Sequence, residues 1–153
     1  MEWIKSSLEY VSIELEILNS QPAFNLLSDN KTQLTADDLR KEFQSHPFEK
    51  ERYLIQLNGE YAGIVDFVME NPKDHMPWLG LFIFHQKYEG KGLASQAYKI
   101  YEGMMIERGV SIIRLGCFQD NKKGLHFWEK HHFKKIKLVE FNEKPLWILE
   151  KHV

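Results

Sequence analysis

The sequence predicts a single α/β domain spanning residues 1–153, and three observations carry that prediction. An Asn58-Gly59 turn joins two apolar runs, a strand–helix–strand pattern crosses residues 78–115, and two more strand patterns close the chain. A chain of 153 residues is the length of one hydrophobic core, with no repeat, linker or low-complexity tract to divide it.

The elements follow in order. Residues 11–17 (VSIELEI) alternate apolar and polar, which predicts the first strand. Pro22 opens a short helix through Leu26 and Leu27, and Thr35 caps a second one that carries Asp37 and Asp38 in its first turn and runs to about Gln44. Residues 52–57 and 61–69 form the antiparallel pair around Asn58-Gly59, and residues 71–75 are a polar loop. Residues 78–84 (WLGLFIF) are apolar on both faces, so this strand is central and covered on both sides. A helical pattern opens at Gly92, passes through Tyr98, Tyr101 and Met105 to Arg108, and closes on Gly109. The strand at 112–115 then implies parallel pairing and a right-handed crossover. A last helix over 122–131 precedes strands at 135–140 and 146–150.

Composition narrows the function. Twenty Lys and Arg stand against 22 Asp and Glu, a net charge of −2, so no basic excess is available for nucleic acid or anionic lipid. The single cysteine, Cys117, makes no internal disulfide, and no zinc motif is present. Early acidic residues, Glu9, Glu14 and Glu16, interrupt any apolar run long enough for a signal peptide or membrane span, so the expectation is a cytoplasmic protein without membrane or metal.

Chemistry concentrates at residues 88–95 (YEGKGLAS), where small residues crowd the entry to a helix. Free N–H groups and the positive end of the helix dipole there suit an anion such as a pyrophosphate, with Lys91 as a mobile cation, although such turns also serve tight packing alone. A Walker loop is absent, and a dinucleotide fold would place its glycines after the first strand instead of after a hairpin.

These residues resemble the GNAT superfamily of acyl-CoA-dependent N-acyltransferases. Residues 89–94 match the family's Arg/Gln-x-x-Gly-x-Gly/Ala loop except at Glu89, residues 81–85 resemble its bulged strand, and residues 121–133 resemble its Asn-x-x-Ala-x-x-Phe-Tyr-x-Lys-x-Gly-Phe segment. The resemblance implies a mixed, mostly antiparallel sheet of about seven strands flanked by helices, with acetyl-CoA bound where the parallel strands separate. It places the pyrophosphate on Gly90, Lys91, Gly92, Leu93, Ala94 and Ser95, the pantetheine arm along Phe82, Ile83 and Phe84, and Asn121 and Trp128 beside the thioester end. It implies acetyl transfer to a primary amine, from a small molecule or a peptide, by direct attack in a ternary complex, and leaves a homodimer open. Glu89 stands where the family has a cation or amide, Trp128 where it has tyrosine, and Gly116 where some members carry a glutamate. The last two departures keep a second reading in play, a non-catalytic acyl-CoA-binding or regulatory module.

A thiol of pKa about 8.5 leaves readily, whereas an alkyl amine of pKa about 10.4 must first lose a proton. Asp66 is the carboxylate on an otherwise apolar strand face with Ile64 and Val68, which makes it either the base or ammonium anchor, or the structural partner of a buried donor. His126, His131 and His132 read as solvent-facing or capping residues, and Cys117 as a small buried side chain. Trp78 and Phe82 read as core first and as walls of an acceptor pocket second.

Overall fold

The computed structural model describes residues 1–45 and 49–153. Its elements are β1 (Glu2–Lys5), α1 (Val11–Asn19), α2 (Pro22–Asp29), α3 (Ala36–Gln44), β2 (Glu51–Leu57), β3 (Glu60–Val68), β4 (Trp78–Phe84), α4 (Leu93–Glu107), β5 (Ile112–Phe118), α5 (Lys122–Lys130), β6 (Lys134–Phe141) and β7 (Lys144–His152). The seven strands form one sheet in the order β1-β2-β3-β4-β5-β7-β6, antiparallel everywhere except between β4 and β5. No helix among the described residues is long and apolar enough to cross a membrane.

Residues 11–17, expected as the first strand, are instead helical, and the first strand is Glu2–Lys5. The reason lies in Glu14. Strict alternation places this residue on a wet face, yet it is fully buried, together with Ile17 and Leu18 three and four positions on. The polar position that imitated a strand is the inner face of a helix, made tolerable by a buried cation.

That cation is Arg52 on β2. Its Nη2 donates to Glu14 Oε1 at 2.6 Å, its Nε to Glu14 Oε2 at 3.0 Å, and its Nη1 to Asp66 Oδ2 at 2.7 Å and Glu42 Oε1 at 3.3 Å. Ser6 Oγ donates to Glu14 Oε2 at 2.6 Å, and Phe43 packs its ring 5.3 Å from the guanidinium. One side chain therefore joins α1, α3, β2 and β3. Around it lies the smaller apolar core, Ile17, Leu18, Leu39, Leu54, Ile64 and Ile83, between the sheet and helices α1 and α3. The larger core fills the opposite face, where Tyr98, Tyr101 and Met105 of α4 and Leu125 and Trp128 of α5 meet Val65, Phe67, Leu79, Leu115 and Leu149. Both sides of β4 are thus covered, as its apolar sequence requires.

Two hairpins use two-residue turns. Asn58 and Gly59 have φ of 51° and 82°, and Asn142 and Glu143 have φ of 52° and 63°, the left-handed pair that lets the turn follow the strand twist. Pro145, expected in the second loop, instead pairs with Glu140 within β7. β6 forms the sheet's outer edge, where an irregularity between Lys135 and Lys137 and three lysines blunt further pairing. At the base of the β4–β5 junction Arg114 Nη1 donates to Asp74 Oδ2 at 3.0 Å and Nε to Glu150 Oε2 at 2.8 Å, while Trp78 Nε1 donates to the same Asp74 oxygen at 2.8 Å.

Removing Arg52 leaves Glu14 buried without its counter-charge and Asp66 with only Lys50, at 3.7 Å. Arg52→Ala is expected to cost about 3–5 kcal/mol in denaturant unfolding, the range for breaking a buried pair. A loss below about 1 kcal/mol, as for an exposed pair, would show that the cluster contributes little.

Candidate active site

A gap in the sheet defines the site. β4 and β5 pair only at Trp78↔Arg114 and Leu79↔Leu115, and beyond that point the two parallel strands separate. The cause is local to β4: its register with β3 slips between Asp66↔Leu81 and Phe67↔Leu79, so Gly80 is an extra residue that bends the strand. A Cβ built at Gly80 would lie 2.5 Å from Asp66 Oδ1, so the carboxylate fits against the bulge only because residue 80 is glycine. The His85 N–H donates to Ala62 O in β3 at 2.8 Å, and alternation along the strand then directs the backbone groups of Phe84 and Phe82 to the open edge. One of these is already engaged. Gln21, at the α1–α2 elbow, donates its Nε2 to Phe84 O at 2.9 Å.

The top of the gap meets the α4 N-terminus. Gly90 and Gly92 both sit in the left-handed region, with φ of 74° and 75°, and Gly92 is the N-cap. The first bond within the helix runs from Gln96 N to Gly92 O at 3.2 Å, so the N–H groups of Leu93, Ala94 and Ser95 precede the helical ladder. Leu93 buries its side chain in the core, which fixes the orientation of that turn. Lys91 lies back over the Tyr88 ring, its Nζ 6.0 Å from the centroid, and Tyr88 donates to Glu60 at 2.6 Å. Glu89 turns its carboxylate toward Gln21 Nε2, at 3.2 Å, and Lys123 Nζ, at 3.7 Å.

The third wall is α5. Asn121 caps it, its Oδ1 accepting from Gly124 N at 3.0 Å. Lys123, Phe127 and His131 follow at i, i+4 and i+8, one face of the helix, and each meets the site: Lys123 reaches Glu89, Phe127 lies 5.9 Å from Phe82 between ring centroids, and His131 Nε2 is 2.9 Å from Ser95 Oγ. Trp128 makes the floor, with ring contacts to Phe82 at 5.2 Å, Phe127 at 4.8 Å, Tyr98 at 5.6 Å and Phe133 at 5.3 Å.

Most of the expected site residues therefore gather along one gap. Ile83, expected along the cofactor arm, is not brought to the gap: its backbone pairs with Ile64 of β3 and its side chain belongs to the smaller core beneath α1 and α3. Asp66 lies on that same opposite face, 2% exposed, paired with Arg52 and with Lys50 Nζ 3.7 Å away. Burial pushes its pKa up, and Lys50 and Arg52 oppose that rise. Burial also pushes the Cys117 thiol up to about 12, which leaves it protonated and unreactive near neutrality. His131 is the C-cap residue of α5, the capping alternative of its sequence reading, and its ring is half-buried against Ser95. The spacing of Lys123, Phe127 and His131 was open to reading on a predicted helix. No local signal marks Gln21, whose partner lies 63 residues away.

This arrangement of a bulged strand, a split parallel pair and a glycine-led helix coincides with a sequence match to the acetyltransferase (GNAT) family over residues 16–133, and the chain belongs to that family. Among curated protein sequences none matches the chain. Solved structures with the same fold include an acetyltransferase from Thermus thermophilus, 17% identical with a TM-score of 0.82, the match covering 99% of this chain and 96% of that one. The acetyltransferase that modifies the N-terminal serine of ribosomal protein L7/L12 in Salmonella typhimurium is 16% identical, TM-score 0.81, covering 99% and 94%. The PaiA N-acetyltransferase of Thermoplasma acidophilum, solved in complex with coenzyme A, is 17% identical, TM-score 0.69, covering 99% and 98%.

His132 occupies the glycine position of the 121–133 segment and holds φ at 72°, directly after the C-cap of α5. A non-glycine residue there is strained, so His132→Gly is expected to stabilise the fold by about 1 kcal/mol. At this chain length that corresponds to a rise of about 2–4 °C in Tm, and an unchanged or lower Tm would show that the turn carries no such strain.

Proposed function

We propose that this protein transfers an acetyl group from acetyl-CoA to a primary amine by direct attack within a ternary complex. The observation that carries the reading is the unpaired edge of β4, opening straight onto the left-handed glycine turn and the free N–H groups of α4. An extended amide-bearing arm pairs with such an edge, and a diphosphate suits such a helix terminus. The bound acetyl-CoA supplies a thioester carbonyl, and the chain supplies what surrounds it. The backbone N–H of Phe82 faces the gap and is the donor placed to polarise that carbonyl, while Phe82 and Trp128 exclude water. Leu93, Ala94 and Ser95 offer three N–H groups to the phosphates. Glu89 does not oppose them directly, because Gln21 and Lys123 draw its carboxylate aside. The acceptor is an amine of a small molecule or a peptide, and a homodimer is compatible with the fold.

Trp128 and Gly116 stand where members of the family carry acid–base groups, and they favour the second reading, a module that binds acyl-CoA without turning it over. Thiol release on mixing with acetyl-CoA and a panel of amines separates the two. Acetyl-CoA at a hundredfold excess over Kd is expected to add about 2.7 kcal/mol of stability, seen as a higher Tm. Gly92→Glu should abolish that shift by setting charge and bulk in the turn. A Tm rise without thiol release for any amine leaves the binding module. No Tm rise at all overturns both.

Indole N–H does not transfer a proton to a thiolate, so the reaction as proposed proceeds with unassisted departure of the thiolate, which takes its proton from solvent afterwards. Trp128→Tyr should therefore change kcat little, and a gain of about a hundredfold would show that leaving-group protonation limits the rate.

Of the two roles open to Asp66, its engagement with Arg52 supports the structural one. A carboxylate bonded to a guanidinium, beneath α1 and α3, has little access to an ammonium. Asp66→Asn is expected to leave kcat/KM for the acceptor within about threefold while lowering stability. A fall of about 10²–10⁴-fold with unchanged acetyl-CoA affinity would instead assign it the amine's proton.

A further inference from the structure

The Ser95 hydroxyl sits in the first turn of α4, beside the N–H groups that precede the helical ladder, and its oxygen lies 2.9 Å from His131 Nε2 on the facing helix. One proton lies on that hydroxyl, and the direction of this hydrogen bond decides where it points. If Nε2 is bare, it accepts the serine proton, and Ser95 turns oxygen lone pairs toward any anion at the helix terminus. If Nε2 carries a proton, it donates to Ser95 Oγ, and the serine proton is released toward the anion.

Resting on the acetyl-CoA reading above, we propose that His131 is a positioning residue for the cofactor's diphosphate, taking up a proton at Nε2 on binding so that Ser95 becomes a donor to the phosphate. The ring is held for this work by packing on both sides, with centroids 4.9 Å from Tyr98 and 4.7 Å from Phe127. The charged groups around it are Lys99 and Glu102 from α4, Lys151 from β7 and Lys130 on its own helix. Burial first, and then Lys151, Lys130 and Lys99, keep the free imidazole below its ordinary range, against the opposing pull of Glu102. Without ligand the ring is therefore neutral near pH 7; the proposed resting tautomer carries its proton on Nδ1 and leaves Nε2 to accept from Ser95, and an arriving diphosphate reverses the local balance of charge. The sign follows from linkage: the bound form has the higher pKa, so the gain in affinity is fully present below the free pKa and is lost as pH rises through the bound one.

The test is the Kd of dephospho-CoA by calorimetry across about pH 5.5 to 8, because that ligand lacks the 3′-phosphate whose own titration near pH 6 would confuse the profile. The wild-type protein should bind about tenfold tighter at the low end, the equivalent of a one-unit rise in the His131 pKa, with fractional proton uptake shown by an observed heat that changes with the ionisation enthalpy of the buffer. His131→Gln, whose side-chain amide stays neutral, and His131→Phe, which keeps the ring packing, should both give flat profiles. Ser95→Ala should bind more weakly at low pH and lose most of the slope. Binding by the wild type without a pH slope, or a slope that survives in His131→Gln, overturns this inference alone. Absence of binding at every pH overturns the cofactor reading and this inference together.

Discussion

A single guanidinium organises the half of the molecule on which the site depends. Arg52 is 6% exposed and bonds carboxylates from α1, α3 and β3 at once, using the fixed fork that only arginine offers. Its grip on Asp66 matters most, because that carboxylate lies against Gly80, the extra residue of β4. The bulge bends β4 away from β5, and the bend exposes the backbone of Phe82 and Phe84. A buried charge cluster on one face of the sheet thereby sets the shape of a gap that is used from the other face.

The two faces divide the labour. Beneath α1 and α3 the sheet meets ions and a small apolar core, whereas beneath α4 and α5 it meets aromatic rings packed edge to face, from Phe82 through Trp128 to Tyr98 and Phe133. Rings in such T-shaped contacts contribute beyond their buried area and hold a fixed wall. Two departures from the family pattern, Trp128 and Glu89, are absorbed by this setting, and a third, His132, is held at a cost. Trp128 fills the floor with a larger ring, Glu89 is drawn off by Gln21 and Lys123, and His132 takes the left-handed turn that a glycine would take freely.

Much of this was legible in the chain. The Asn58-Gly59 hairpin, the apolar β4, the strand–helix–strand crossover and the turn at residues 88–95 all follow from local patterns that the fold has no reason to override. Residues 11–17 misled because burial of Glu14 depends on Arg52, 38 positions later, and no local period carries that information. The same limit applies to Asp66. Alternation placed it on an apolar face, but only the paired strands show that Arg52 lies across from it, in register on β2. Gln21 was invisible for the related reason that its partner, Phe84 O, lies on another element 63 residues away.

The short seam between β4 and β5 has a mechanical consequence. Two residue pairs join the leaf β1–β4 to the leaf β5–β7, and Arg114, bonded to Asp74 on one leaf and Glu150 on the other, rivets the seam at its closed end. Rotation of one leaf about that rivet widens or narrows the opening while every ladder within each leaf stays intact. Because that pivot lies at the end of the gap away from the glycine turn, any change of the angle between the leaves is felt most at the turn.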